Sequence, residues 1–137
     1  MKARADNLCE YCLLHEDDTF FGCEVDHIIS EKHGGQTTKA NLAYACFVCN
    51  RNKGSDIGSL VPEAGSLIRF YHPRIDRWHD HFQLSEGDGM TIVPVSDIGM
   101  VTARIFGFNS DERLLERWAL QAARRYPTPA ARRRMDR

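Results

Sequence analysis

Two short thiol pairs, Cys9-x-x-Cys12 and Cys46-x-x-Cys49, constrain this chain more than any other feature. Each pair forms a tight turn offering two soft ligands, and together they match the spacing of a closed tetrahedral zinc site. The 33 residues between Cys12 and Cys46 must then fold with both ends pinned to one point. In a small domain such a staple supplies rigidity that core packing alone does not. Cys23 is left over, and its strand-like surroundings mark it as a buried core thiol rather than a fifth ligand.

The pinned insert is rich in groups that handle phosphate esters. Phe20 to His27 alternates apolar and polar residues, which predicts a strand with Phe21, Cys23 and Val25 on one face and Glu24 and Asp26 on the other. A turn-rich loop with adjacent Gly34 and Gly35 follows, then a short second strand over 41–45 and a helix from Asn50 to about Ile57. Hydrolysis of a phosphodiester needs a water-derived nucleophile and neutralised oxygens. Neutral imidazole is a suitable base near pH 7, which points to His27. Asp26 and Asn50 offer hard oxygen ligands for Mg²⁺ or a similar ion, with open positions for water and phosphate. Asn41 is placed to fix the loop after His27 by hydrogen bonds. Lys53, one turn beyond Asn50, is within reach of a phosphate, and Arg51 is a second candidate nucleic-acid contact. Each residue alone is unremarkable: an Asp-His dipeptide is common and a lone Asn is most often a cap. Their joint occurrence between two thiol pairs is what carries the reading.

At these positions the chain resembles the HNH endonuclease family. The matching residues are Cys9, Cys12, Asp26, His27, Gly34, Gly35, Asn41, Leu42, Cys46, Cys49, Asn50 and Lys53. The resemblance covers about residues 8–57. It implies an α+β chain built on a ββα-metal core, with structural Zn²⁺ on the four cysteines and a separate catalytic Mg²⁺ or Mn²⁺. It also implies His27 as general base, Asp26 and Asn50 as ligands of the catalytic ion, and Asn41 as the residue orienting the His27 loop. DNA is the implied partner, and cleavage would leave 5′-phosphate and 3′-hydroxyl ends. Ser30 stands where many members carry Pro, and Asn52 stands where relatives have His, so Asn52 is the alternative helix ligand. The competing class is a zinc-stabilised nucleic-acid-binding module without catalysis.

Residues 58–126 read as an extension with a β-hairpin and a helix. The hairpin is expected to pair Met90–Val95 with Met100–Phe106 around Asp97-Ile98-Gly99. Ser110 is expected to cap a helix whose apolar face holds Leu114, Leu115, Trp118 and Ala122. Trp78 and Phe82 read as core anchors and the nearby histidines as satisfied polar groups, in preference to Arg74, His79 or His81 lining a nucleic-acid cleft. Residues 127–137 read as a basic, disordered tail.

Bulk properties narrow the remaining choices. The 137 residues suit one domain with an extension, and no apolar run approaches the roughly 20 residues that span a membrane. The first residues lead to Cys9 without an apolar core, so no signal peptide and a cytoplasmic location are expected. In that reducing compartment paired cysteines are metal ligands rather than disulfides. The net charge of −1 conceals an asymmetry: residues 113–137 hold eight Arg against Glu116 and Asp136, a net +6. That stretch is suited either to a phosphate backbone or to plain solvation. Oligomeric state is not legible.

Overall fold

The computed structural model describes residues 2–63 and 65–136. It is a mixed helix and strand protein whose sheets are all two-stranded and antiparallel among the described residues. In chain order the elements are β1 (Cys23–His27), β2 (Leu42–Cys46), α1 (Phe47–Lys53), β3 (Gly58–Leu60), β4 (Leu67–Arg69), α2 (Trp78–His81), β5 (Phe82–Leu84), β6 (Ile92–Pro94), α3 (Asp97–Phe106), α4 (Asp111–Ala122) and α5 (Pro129–Met135). Among the described residues, no helix is long and apolar enough to cross a membrane.

β1 and β2 pair in the register Cys23↔Cys46 to His27↔Leu42, and α1 packs against both. β1 is shorter than the alternation predicts. Gly22 adopts φ +71°, a left-handed turn conformation that interrupts the strand and leaves Phe20 and Phe21 outside it. Asn41 closes a 3-10 turn just before β2 instead of belonging to the strand. The helix begins at Phe47 with Cys46 as its N-cap, so Asn50 lies one turn inside it rather than at its start.

In the extension, the expected second strand of the hairpin is a helix. Asp97–Phe106 is the helix α3, and the hairpin strand β6 pairs instead with β5, Leu84 opposite Ile92. The helical period was present: residues 98, 101, 102, 105 and 106 recur at i, i+3, i+4, i+7 and i+8. Ser96 caps the helix by accepting from the Gly99 N–H at 2.9 Å, and Gly107 ends it at φ +66°. Gly99 is required for packing, since a Cβ there would lie 2.1 Å from the His81 carbonyl oxygen.

The core gathers around this helix. Phe82, Phe106, Phe108, Ile92 and Val101 are fully buried together with Leu8, Leu13 and Leu14 of the first thiol turn. Trp78 is buried and donates its indole N–H to the Tyr11 carbonyl at 2.8 Å, and Phe82 is fully buried, so both act as core anchors. His81 Nδ1 lies 2.6 Å from Ser96 Oγ, and His72 Nδ1 accepts from the Arg74 N–H. These two histidines satisfy local polar groups.

Two further expectations change. Thr128 caps α5 by accepting from the Ala131 N–H, and Ala131 and Met135 are buried in the core, so residues 129–135 are helical rather than disordered. The α4 face is reversed. Ser110 caps it as expected, but Leu115 and Trp118 are exposed while Arg113 and Arg117 are buried. Arg117 donates to the carbonyls of Met90 and Phe108 and to Asn109 Oδ1, so buried backbone acceptors draw the guanidinium inward.

Candidate metal centre and His27 site

The two thiol turns meet. All four sulfurs, on Cys9, Cys12, Cys46 and Cys49, lie within 4.8 Å of one another and are buried. A zinc tetrahedron with bonds of about 2.3 Å has edges of about 3.8 Å. The Cys12–Cys46 sulfur separation is 3.8 Å. Four buried cysteines are therefore positioned to bind a metal, consistent with structural zinc.

The sequence reading missed the counter-ion of this cluster. Arg113 comes from α4, 101 residues beyond Cys12, and places Nη2 3.0 Å from Cys12 Sγ. Its Nη1 and Nη2 lie 3.6 and 3.7 Å from Cys46 Sγ. Burial pulls the Arg113 pKa down, but the negative sulfurs outweigh it and hold the guanidinium firmly protonated. Hydrogen bonds from the other thiols drive Cys46 far below an ordinary thiol, and Arg113 adds to this. Burial pushes the Cys9 thiol up, and it does the same to the half-buried Cys23, which packs on the core beside the cluster. Nothing local to Arg113 in the sequence signalled this role.

The second group of residues surrounds the end of β1. Asn41 clamps the turn after His27: its Oδ1 accepts from the Ile29 N–H at 2.9 Å, and its Nδ2 donates to the carbonyls of Ile29 and Gln36 at 2.9 and 2.8 Å. The Asn41 carbonyl also accepts from the Ile28 N–H. Gly35 is obligatory, because a Cβ there would lie 1.7 Å from the Ile29 carbonyl oxygen. Gly34 supplies the left-handed turn at φ +85°. The His27 imidazole is partly exposed, with Nε2 2.8 Å from Thr37 Oγ1 and 3.9 Å from the Glu31 carboxylate. Thr37 escaped the sequence reading because it lies in a loop with no periodic signal.

Lys53 does not face solvent. It is almost wholly buried, with Nζ 3.1 Å from the His27 carbonyl, where it braces the end of β1 rather than reaching for phosphate. Burial lowers its pKa, partly countered by the Asp26 carboxylate. Asn52 Nδ2 donates to the Phe106 carbonyl at 2.7 Å, which ties that amide to α3. Asn50 is half-buried in α1, and Asp26 sits opposite Ala43 in the sheet. Arg51 is exposed, its guanidinium 5.3 Å from the centre of the Phe47 ring.

Residues 9–56 match the family model described as HNH endonuclease. Over this segment the chain is similar to the HNH endonuclease family. No curated protein and no solved structure matches the chain. The matched segment contains both thiol turns, β1, β2 and α1, while Arg113 reaches the four-cysteine cluster from outside it.

The cationic C-terminal stretch also changes character. Arg113 and Arg117 are buried, Arg125 pairs with Asp18 at 2.6 Å, and Arg134 pairs with Asp6 at 2.9 Å. Half of its arginines therefore hold the fold together.

Proposed function

We propose that this protein is a metal-dependent HNH endonuclease that hydrolyses DNA phosphodiester bonds with low sequence specificity, on a ββα-metal core formed by β1, β2 and α1. The observation that carries the reading is the braced backbone around His27 inside the segment that matches the HNH family. Lys53 holds the His27 carbonyl, and Asn41 holds the main chain of Ile28 and Ile29. Such bracing orients the imidazole before substrate arrives. When Nε2–H donates to Thr37 Oγ1, the lone pair resides on Nδ1, where it can take a proton from the attacking water. Asp26 and Asn50 are the residues that would hold a divalent ion such as Mg²⁺ or Mn²⁺, whose chemistry is to neutralise charge on the phosphate oxygens. Asn52 is the weaker candidate because its amide is engaged by Phe106. Low specificity follows from a site with few side chains suited to reading base edges.

The test is cleavage of supercoiled plasmid by wild type and His27→Ala with Mg²⁺ or Mn²⁺, at equal zinc content and equal far-ultraviolet circular dichroism. Loss of a positioned general base lowers the rate roughly 10²–10⁴-fold. Equal rates for the two proteins with each metal defeat the assignment. DNA binding without cleavage by wild type would point to the non-catalytic zinc-stabilised module instead.

A further inference from the structure

A cavity of about 400 Å³ opens where the first thiol turn, the segment from Tyr71 to His79 and α5 meet. That volume falls within the range of small-molecule sites, about 300–1,000 Å³. Leu13, Pro73 and Trp78 give it apolar walls. Tyr71 after β4, Arg77 at the start of α2 and Arg134 on α5 add polar groups from three separate elements. Tyr71 is only 5% exposed, yet its hydroxyl makes no hydrogen bond among the described residues. A tyrosine this buried usually finds an acceptor. Burial pushes its pKa up, so the hydroxyl is a standing O–H donor at neutral pH. The charges acting on it belong to Arg134, Asp76 and Asp80, which line or border the cavity.

The carboxylates of this wall are already engaged. Glu10 accepts from the Tyr44 N–H at 2.9 Å and is gripped by Arg74. Asp76 takes both Nη groups of Arg69 and the His72 N–H. At the border, Asp6 accepts from Arg134 Nη2, and Asp80 lies 3.3 Å from His79 Nε2. Donors, by contrast, are left over. The exposed Arg77 side chain makes no hydrogen bond or ion pair among the described residues. Nε of Arg134 and of the adjoining Arg74 are buried without an acceptor. Burial, with Arg4 and Arg134 as cationic neighbours, lowers Arg74 to about 10. Guanidiniums held this close favour an anion among them. Donors arriving from three elements suit the several directions of phosphate oxygens, whereas a flat carboxylate is satisfied by one arginine fork. Two arginines also favour a terminal phosphate monoester, at about −1.5 to −2 near pH 7, over a singly charged diester.

We propose that this cavity binds a terminal phosphate monoester, held by the Tyr71 hydroxyl, Arg77 and Arg134, with the body of the ligand resting on Leu13, Pro73 and Trp78. A free nucleotide and the 5′ end of a nucleic-acid strand present the same group. The site shares no residue with the His27 site, so the assignment stands whether or not His27 supports cleavage.

The chain has two tryptophans and Trp118 is exposed, so Trp118→Phe leaves Trp78 as the sole reporter in the cavity wall. The zinc-loaded Trp118→Phe protein is titrated with inorganic phosphate, dAMP and acetate, and with a 12-nucleotide single strand ending in 5′-phosphate or 5′-hydroxyl. Phosphate and dAMP are expected to change the Trp78 emission and to release or absorb heat in calorimetry. Binding of dAMP without any preference between the two strands assigns the site to a free nucleotide. A preference of about 10-fold or more for the 5′-phosphorylated strand assigns it to strand ends, and either result supports the proposal. Tyr71→Phe removes only a hydroxyl without a partner, so zinc content and melting temperature are expected to hold. It should weaken phosphate and dAMP binding about 10-fold. Arg77→Gln should weaken binding and flatten its salt dependence. Neither emission change nor heat with phosphate and dAMP overturns the proposal. So does acetate that binds as tightly as phosphate, or phosphate affinity that Tyr71→Phe leaves unchanged. A lower melting temperature in Tyr71→Phe with unaltered phosphate affinity also overturns it and assigns the hydroxyl to the fold.

Discussion

Replacing Arg113 by Met tests the link between the extension and the metal centre. Methionine keeps most of the buried aliphatic volume and removes only the guanidinium, so the change isolates charge and hydrogen bonding from packing. Arg113 makes one close contact to Cys12 Sγ at 3.0 Å and two looser ones to Cys46 Sγ at 3.6 and 3.7 Å. Two unit charges about 3.5 Å apart attract by about 5 kcal/mol at an effective dielectric of 20. Burying the guanidinium offsets most of that gain, which leaves a net effect of about 1.4–2.7 kcal/mol, or 10–100-fold in metal affinity for a group one shell beyond the ligands. Competition against a chromogenic chelator at pH 7 should therefore show zinc held 10–100-fold less tightly by Arg113→Met. Arg117→Met is the control. It lowers the melting temperature by stranding the Met90 and Phe108 carbonyls, while Asn109 Oδ1 keeps the Ile92 N–H, but it leaves zinc affinity unchanged because Arg117 touches no sulfur in its hydrogen bonds. Zinc affinity within twofold of wild type in Arg113→Met would refute the electrostatic account.

Two other outcomes follow from the structure. Gly35→Ala places a Cβ 1.7 Å from the Ile29 carbonyl oxygen, so the loop must move and Asn41 must lose its grip. A destabilisation of about 2–4 kcal/mol in urea and loss of plasmid cleavage are expected, whereas wild-type stability would show that the loop yields freely. The Tyr44 hydroxyl donates to the Glu16 carboxylate, and this bond works at both ends of the pH scale. Lys2 and Tyr44 lower the Glu16 pKa, so its contribution is present above the unfolded carboxylate value and fades as pH falls through the folded one. Tyr44 is raised to about 12 chiefly by Glu16, so stability also declines between about pH 10, where the unfolded phenol ionises, and pH 12. Tyr44→Phe should flatten both limbs of a stability-against-pH curve, and unchanged limbs would refute the pairing.

Much of the segment that matches the HNH family was legible because its information is local. The two C-x-x-C turns are complete over four residues each, and the sulfurs meet as their spacing predicts. The adjacent glycines and Asn41 likewise announced a loop and its clamp, because φ restrictions and side-chain capping act over a few residues. Where two local patterns competed, the choice failed. In 97–106 the β-branched Val101, Thr102 and Ile105 favoured a strand, but the cap on Ser96 and the 3.6-residue recurrence won.

The sequence by itself determined the four thiols, the Asp-His pair, the clamped glycine loop and the α+β composition. Tertiary structure decided which cations serve which anions. Arg113 and Arg117 read as surface charges on an apolar helix, yet both turn inward while Leu115 and Trp118 face water. Lys53 looks like a phosphate contact and instead braces the carbonyl of His27. The physical reason is that a buried thiolate or carbonyl must find a donor, and the donor can come from any point along the chain. No local rule names a partner 101 residues away.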